Sequence, residues 1–320
     1  MRLYVGAVIK NHEKSFHHFK KLIDELVTEF PELTICIYED NSTDTTPTLL
    51  ADLKSTYPEK VYYICDNYDQ KNIMVRTCEN KPFRITCIAH GRNILMELLE
   101  EKGLGQNSDD ICIMIDPDVP VPFFTQNIAA HVKNFPENVD ALFANGMSRH
   151  GKYYDTFAYR DSTYFFGVDV FGELNINRQN EKHYVMNRKI KNDEPLIPVM
   201  SAFGGLAMYR GTSIRGKRYS AYPTATLNKI YRNFMSLYPE HPEVKMVKSA
   251  QKNIETHLRG ALLGIYLFEK KEDGGLFYYN CCGANYPIVC EHITFHAEMI
   301  NDGKDKIFVC PSLIYISDHY

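Results

Sequence analysis

The chain has 320 residues, of which 44% are hydrophobic and 24% charged, and its formal net charge is −4. This composition is typical of a globular protein with a sizeable core, and without a basic excess nucleic acid is not expected as a partner. No stretch reaches the ~18 apolar residues of a transmembrane segment, and the N-terminus predicts a core strand rather than a secretory signal. The nine cysteines show no zinc-type spacing, so we expect most of them to be buried free thiols and the protein to be cytoplasmic.

Through the first hundred residues, short apolar runs alternate with segments in which apolar residues recur every three or four positions. Strands are predicted at 3–9, 34–38 and 61–65, and helices over 16–27, towards 54 and over 85–99. This alternation predicts an α/β fold with a mainly parallel sheet. The polar stretch 66–81 predicts a loop over a site.

The most informative stretch runs from Ile111 to Val119, where a continuously apolar, β-branched segment ends in two carboxylates. Such a segment predicts a strand buried on both faces of the sheet. Asp116 and Asp118 would stand at its carboxyl end, where ligands bind in open α/β sheets. Carboxylates one residue apart can share a divalent cation, so both are candidate metal ligands. A solvated acidic turn after a strand is the alternative.

Two further polar groups follow the same logic. Asp40, Asn41 and Ser42 come directly after the second predicted strand and could bind a base and ribose, although an ordinary helix N-cap loop is an equal alternative. Arg92, on the third predicted helix, could bind a phosphate through its planar guanidinium or could pair with a surface carboxylate.

The order of these parts resembles a GT-A glycosyltransferase. The motifs that carry this resemblance are GluAspAsnSerThrAspThrThr after the second strand, AlaHisGlyArgAsn on the third helix and AspProAsp after the buried strand. Within that class, residues 84–95 and the later CysGluHisIleThrPheHis are similar to the fungal capsule-associated (cryptococcal type) α-1,3-mannosyltransferases. The resemblance implies a single GT-A domain over 1–320, with a nucleotide-sugar-binding half at 1–150 and an acceptor-binding half at 151–320.

The resemblance also implies an activity and a set of site residues. A hexose such as mannose would pass from a UDP- or GDP-sugar to a glycan or glycoconjugate acceptor, with Mn²⁺ or Mg²⁺ as cofactor. Asp116 would face the ribose or bridge to the metal, Asp118 would bind the metal, and His296 would complete its ligands. His292 stays an alternative because spacing does not separate the two histidines. The residues placed around the donor are Asp40, Asn41, Ser42, Arg92, Asp116, Gly204 and Gly205.

The second half has weaker patterns. We expect strands over 140–145, 199–209 and 277–282, a helix over 254–268, an aromatic-rich stretch at 153–170, and a mobile loop over about 171–194. Gly204 and Gly205 interrupt their strand and predict a bulge or a close approach of backbone to ligand. If residues 288–295 are extended, His292 and His296 share a face.

Several mechanisms and two other protein classes stay open. If the reaction inverts the anomeric configuration, a carboxylate must accept a proton, and the candidates are Glu291, Asp193 and Glu194; a retaining reaction needs no strong base. A haloacid dehalogenase-type phosphatase would use Asp116 as its nucleophile, but there the acidic pair usually lies on the first strand. A non-catalytic carbohydrate-binding relative is expected to lack acidic metal ligands, which this chain has.

Overall fold

The structure is a computed structural model that describes residues 1–66, 84–166, 188–248, 265–269, 276–280 and 289–317. Its strands are β1 (Leu3–Ile9), β2 (Leu33–Asp40), β3 (Val61–Asp66), β4 (Ile111–Ile115), β5 (Ala141–Met147), β6 (Ile197–Pro198), β7 (Leu206–Arg210), β8 (Ile265–Glu269), β9 (Leu276–Asn280) and β10 (Ile307–Ile316). Its helices include α1 (Phe16–Glu29), α2 (Thr46–Thr56), α3 (Arg84–Glu101), α4 (Thr125–Lys133), α5 (Gly211–Ile214), α6 (Ala225–Leu237) and α7 (Glu291–Asn301).

An eight-stranded sheet in the order β3-β2-β1-β4-β7-β5-β10-β6 forms the centre of the molecule. β1 pairs in parallel with β2 and β4, β2 with β3, and β10 with β5. β7 runs antiparallel between β4 and β5, and β6 is antiparallel to β10. The predicted α/β class, a mixed and mainly parallel sheet flanked by helices, is confirmed. β8 and β9 pair antiparallel in a separate two-stranded sheet.

Helices cover both faces of the sheet, which explains the continuous apolar run of β4. All five residues of β4 are buried. Cys112 and Met114 join the core on one face together with α3, whereas Ile113 joins the core on the other face together with α1. The apolar residues of α1 recur every three or four positions and are buried on that second face. Within the described ranges, no helix combines the length and apolar character needed to cross a bilayer.

The first-half strands and helices agree with the predicted ones, but three second-half predictions need correction. The strand expected over 199–209 is formed only from Leu206 onward. The helix expected over 254–268 is wrong at 265–268, which belong to β8, while 254–264 lie outside the described residues. Residues 291–295 are helical rather than extended, because α7 begins at Glu291.

Other second-half predictions are confirmed or fall outside the structure. β5 and β9 lie where strands were expected at 140–145 and 277–282, apart from 281–282, which are not described. Most of the loops expected at 66–81 and 171–194 lies outside the described residues. The division of the chain into a donor half and an acceptor half stays a prediction.

Candidate active site at the carboxyl edge of the sheet

Asp116 is the first residue after β4 and is fixed through its backbone. Its N–H donates to the carbonyl oxygen of Gly205 at 2.8 Å, and its own carbonyl oxygen accepts from the Tyr315 hydroxyl at 2.9 Å. The Asp116 side chain keeps 35% of its surface exposed, and Asp118 is exposed two residues further on. Both carboxylates of the Asp-Pro-Asp motif therefore lie at the carboxyl end of a central strand.

Arg92, on α3, is buried beside this motif and faces two carboxylates. Its Nη2 lies 3.2 Å from Asp116 Oδ1 and its Nε lies 3.3 Å from Glu291 Oε1. The guanidinium carbon also lies 4.9 Å from the centroid of the Phe203 ring and 5.6 Å from that of Tyr219. Burial alone would lower the pKa of Arg92, but attraction to the two carboxylates outweighs it, so the pKa is raised. Arg92 therefore pairs with one partly exposed and one buried carboxylate of the site, and its binding of a phosphate stays a prediction.

A cleft with a volume of about 360 Å³ opens at this point. We call it the cleft. Besides the exposed Arg84, its lining brings together a buried cation, three carboxylates, an imidazole and an aromatic ring. These side chains belong to Arg92, Asp116, Asp155, Glu291, His292 and Phe203. Sequence reasoning identified four of the six and missed Asp155 and Phe203.

Each of the three carboxylates of the cleft has a pKa above its ordinary value. Burial raises the pKa of Asp116 to about 7, with the Arg92 charge opposing this and Asp118 adding to it. Burial likewise raises the pKa of Glu291 and of Asp155, again with Arg92 opposing. Arg92 by itself therefore faces more negative charge than it can neutralise, and the cleft, which the exposed Arg84 also lines, favours a further cation or bound protons.

Gly204 and Gly205 form a tight turn against the motif rather than an extended strand. Their φ angles are +66° and +84°, a region that suits glycine. A Cβ on Gly205 would lie 2.2 Å from the ring of Tyr315. These glycines permit the close approach between β7 and the backbone of Asp116, and they shape the site through the backbone.

The ends of β1 and β2 form a second polar cluster at the same edge of the sheet. Asp40 is buried, and its Oδ2 lies 3.0 Å from Lys10 Nζ. The Ser42 hydroxyl accepts from the Asn11 N–H at 2.8 Å, and Asn41 has a φ of +51°. Among the described residues, Asp40 Oδ1 and His12 Nε2 are buried without a hydrogen-bond partner. This cluster can therefore still bind a polar ligand.

The two candidate histidines occupy different environments. His296 is fully buried, with Nδ1 2.9 Å from Ser201 Oγ and Nε2 2.9 Å from the Tyr209 hydroxyl. A metal could reach it only after one of these contacts breaks. His292 lines the cleft, and its ring stacks on that of Phe203 with 4.1 Å between the ring centroids. Its Nε2 lies 3.6 Å from Glu291 Oε1. Burial and the Arg92 charge lower the pKa of both, so both are neutral at pH 7.

Asp193 and Glu194 lie on a turn and not among the residues that line the cleft. Asp193 is exposed, and Glu194 Oε1 accepts from the Lys191 N–H at 3.0 Å. Of the three predicted candidates for a general base, the structure brings only Glu291 to Asp116 and Arg92.

A mainly parallel sheet with an Asp-x-Asp pair after a central strand, and a second acidic cluster two strands away, is the arrangement of the GT-A type of α/β fold. The family model described as cryptococcal mannosyltransferase 1 matches residues 2–242. The chain therefore belongs to that family. A comparison with curated protein sequences gave no match.

Three solved structures show a distant likeness. A mannosyltransferase from Pyrobaculum calidifontis in complex with GDP-Man and Mn²⁺ is 14% identical, with a TM-score of 0.36 over 68% of this chain and 47% of that one. S. aureus TarS 1-349 in complex with UDP is 13% identical, with a TM-score of 0.36 over 69% and 50%. Glucosyl-3-phosphoglycerate synthase from Mycobacterium tuberculosis with Mn²⁺, UDP and glucosyl-3-phosphoglycerate is 17% identical, with a TM-score of 0.30 over 47% and 45%. The chain spans half or less of each, and none of them assigns a role to a residue here.

Proposed function

We propose that this protein is a glycosyltransferase that passes a hexose from a nucleotide-sugar donor to a hydroxyl group of a glycan or glycoconjugate. Family membership supports this, with mannose as the sugar that the family description names. The structural observation that carries it is Arg92, buried between Asp116 and Glu291 in a cleft at the carboxyl edge of the sheet. A fixed guanidinium is suited to a diphosphate, and the carboxylates around it are suited to a cation and to sugar hydroxyls.

The nucleoside of the donor would bind at the ends of β1 and β2. Asp40, Asn41 and Ser42 lie there, and Asp40 Oδ1 is a buried acceptor without a partner among the described residues. A ribose hydroxyl or a base N–H would satisfy it. Because β2 lies two strands from β4 in a parallel arrangement, a nucleotide bound here would extend along the sheet edge towards Arg92 and Asp116.

The residues present suit a divalent cation, Mn²⁺ or Mg²⁺. Asp116 and Asp118 supply oxygen ligands. Burial, with a smaller contribution from neighbouring negative charges, raises the pKa of Asp116, and a cation would relieve the repulsion among these charges. Within the described ranges, no three His, Cys, Asp or Glu side chains are placed to hold an ion by themselves. This suits a cation bound by one or two carboxylates together with substrate phosphates. When bound, it would neutralise charge on the departing diphosphate.

In the transfer, the bond between the anomeric carbon and the diphosphate oxygen breaks, and a bond to the acceptor oxygen forms. Arg92 would orient the diphosphate and stabilise its growing charge. If the configuration inverts, Glu291 would accept the proton of the acceptor hydroxyl, and its raised pKa supports that role. If the configuration is retained, the departing diphosphate can accept that proton, and Glu291 would bind a hydroxyl instead.

A cytoplasmic location is part of the same proposal. The described cysteines are free thiols, which suits a reducing compartment.

The first test is ligand binding by the full chain. Thermal unfolding is measured with GDP-mannose, UDP-glucose or UDP-GlcNAc, each with Mn²⁺ or with EDTA, and release of nucleoside diphosphate is followed in parallel. We expect one donor to raise the unfolding temperature in Mn²⁺ only, because a ligand that binds the folded state stabilises it by mass action. Absence of both stabilisation and release with every donor would contradict the proposal.

The second test is Asp118→Asn, with Asp193→Asn as the matched control. Both are exposed aspartates, but only Asp118 belongs to the proposed cation site. We expect Asp118→Asn to lose at least tenfold in metal-dependent donor affinity, typical of a changed ligand shell, with an unchanged fold. Asp193→Asn should behave as the original chain. A covalent phosphate trapped on Asp116 would select the phosphatase instead.

A further inference from the structure

Asp155 is a carboxylate of the cleft that has no assigned role so far. It follows β5 in a stretch rich in aromatic residues and lines the cleft with its neighbours Tyr154, Thr156 and Phe157. It lines the same cleft as Asp116 and Glu291 and is therefore not part of a remote turn.

The backbone fixes the Asp155 side chain. Oδ2 accepts from the Gly204 N–H at 3.0 Å, and Oδ1 accepts from the Ala158 N–H at 3.3 Å. Gly204 lies close to the backbone of β5, since a Cβ built on it would be 2.3 Å from the carbonyl oxygen of Ala144. Each carboxylate oxygen thus has one backbone donor and keeps a direction in which it can accept another hydrogen bond.

The chemistry of this group selects its ligand. An ionised carboxylate accepts hydrogen bonds and repels phosphate, so the diphosphate is not its partner. Two adjacent oxygens in a fixed plane suit two adjacent hydroxyl groups, which a hexose ring offers. The ring of Phe157, which keeps 36% of its surface exposed, adds an apolar surface in the same cleft.

We propose that Asp155 binds two neighbouring hydroxyl groups of the transferred sugar and so determines which donor sugar the protein accepts. This inference rests on the proposed glycosyl transfer and adds the part of the donor that Asp155 contacts. A purely structural role would be limited to holding the turn at 155–158 and Gly204.

Asp161 provides a matched control, because it is also an aspartate that binds backbone N–H groups. Its Oδ1 accepts from Thr163 and Tyr164 at 2.8 Å each. It lines a different cavity, together with Phe165 and Phe234, and not the cleft. Asp161→Asn therefore reports on the cost of weakening such a turn without touching the donor site.

The experiment compares each nucleotide sugar with its own diphosphate. Calorimetric titration with Mn²⁺ is carried out with GDP-mannose and GDP, and with UDP-glucose and UDP, on the original chain, Asp155→Asn and Asp161→Asn. We expect Asp155→Asn to lower the affinity for the nucleotide sugar by roughly tenfold or more, as for loss of a hydrogen bond to a charged group. The affinity for the diphosphate should stay unchanged. Asp161→Asn should change neither. Equal loss for sugar and diphosphate, or no loss, would overturn the inference.

A second measurement uses the original chain and does not depend on the folding of a variant. Donors that lack one hydroxyl are titrated in turn, and we expect two adjacent positions on the ring to give the largest losses. In Asp155→Asn these two losses should disappear, which identifies the coupling between residue and hydroxyl. If removal of each hydroxyl group around the ring lowered the affinity equally, this inference would be overturned but the proposed function would not. Failure of the original chain to bind any nucleotide sugar or diphosphate would overturn the proposed function and this inference together.

Discussion

At the scale of single residues, the ionisable groups around Arg92 respond to burial in opposite directions. Burial raises the pKa of Asp116 and Glu291, because it disfavours their charged forms. It lowers the pKa of His292 and His296 for the same reason, and the Arg92 charge lowers it further. The site at neutral pH therefore contains Arg92 as a buried permanent cation, the exposed Arg84, incompletely neutralised carboxylates and neutral imidazoles. The two histidines support it without adding charge.

The first prediction concerns His296, whose pKa is lowered from 6.5 to about 3. Between these values the unfolded chain binds a proton that the folded chain does not, so the free energy of unfolding falls as the pH falls below 6.5. His296→Gln should be less stable than the original chain at pH 7.5, by about 1–3 kcal/mol, because the contacts to Ser201 and Tyr209 are weakened. This difference should shrink by up to about 1.4 kcal/mol for each pH unit below 6.5.

Urea unfolding at pH 7.5, 5.5 and 4.5 measures this change. The control is Thr294→Val on the same helix, which removes a hydroxyl that donates to Ser220 O at 2.8 Å but no titratable group. Its stability difference should stay constant with pH. A constant difference for His296→Gln would show that the imidazole has the same pKa in the folded and unfolded chains. His296 as a metal ligand stays a prediction, and loss of Mn²⁺ affinity in that variant, with its fold intact, would confirm it.

At the scale of elements, a helix or strand can be predicted from the sequence only where the residue pattern fits one kind of element and not the other. The run 111–115 predicts β4 because a short, β-branched segment ending in Asp-Pro cannot continue as a helix. α7 has no such signal. All residues from Glu291 to Ala297 are buried, and only the C-terminal end of the helix is partly exposed. A helix that is buried on every side shows no apolar stripe in its sequence. Asp155 was equally hidden, because a single carboxylate in an aromatic stretch has no motif and is brought to the cleft only by the fold.

The second prediction concerns the turn at Gly204 and Gly205. Gly205→Ala would force a left-handed backbone on alanine and push a Cβ into Tyr315, whose hydroxyl fixes the backbone of Asp116. Gly216→Ala is the matched control, because Gly216 also has a positive φ, of +78°, while no described atom lies within 4 Å of its Cβ position. We expect the control to lose about 1–2 kcal/mol of stability, the cost of the backbone alone.

Gly205→Ala should lose clearly more than this control and should also lose donor binding. Chemical unfolding gives the stability difference, and titration with the preferred nucleotide sugar and Mn²⁺ gives the affinity. Equal effects of the two substitutions would show that Tyr315 yields to the added methyl group, and that the turn does not determine the position of Asp116.

At the scale of the whole molecule, the last part of the chain completes a sheet that begins at residue 3. The family match covers residues 2–242, but β10 lies beyond it and pairs with β5 and β6 inside the same sheet. α7 packs against α3 and α6 and supplies Glu291 to the cleft. Buried residues of this part contribute to the core on both faces of the sheet, among them Ile293, Phe295, Leu313 and Tyr315. The segment that contains α7 and β10 therefore completes both the sheet and the cleft.

The last prediction follows from this closure. A fragment of residues 1–248 leaves the paired edge of β5 open, removes apolar side chains from both halves of the core and deprives Arg92 of Glu291. We expect it to aggregate or to lack a cooperative unfolding transition, because an exposed strand edge and an incomplete core leave too little burial to offset chain entropy. Removing only residues 318–320, beyond the end of β10, should leave unfolding and donor binding unchanged. Thermal unfolding followed by near-ultraviolet circular dichroism compares the three chains, and cooperative unfolding of the fragment at the original temperature would show that the sheet is stable without its C-terminal strand.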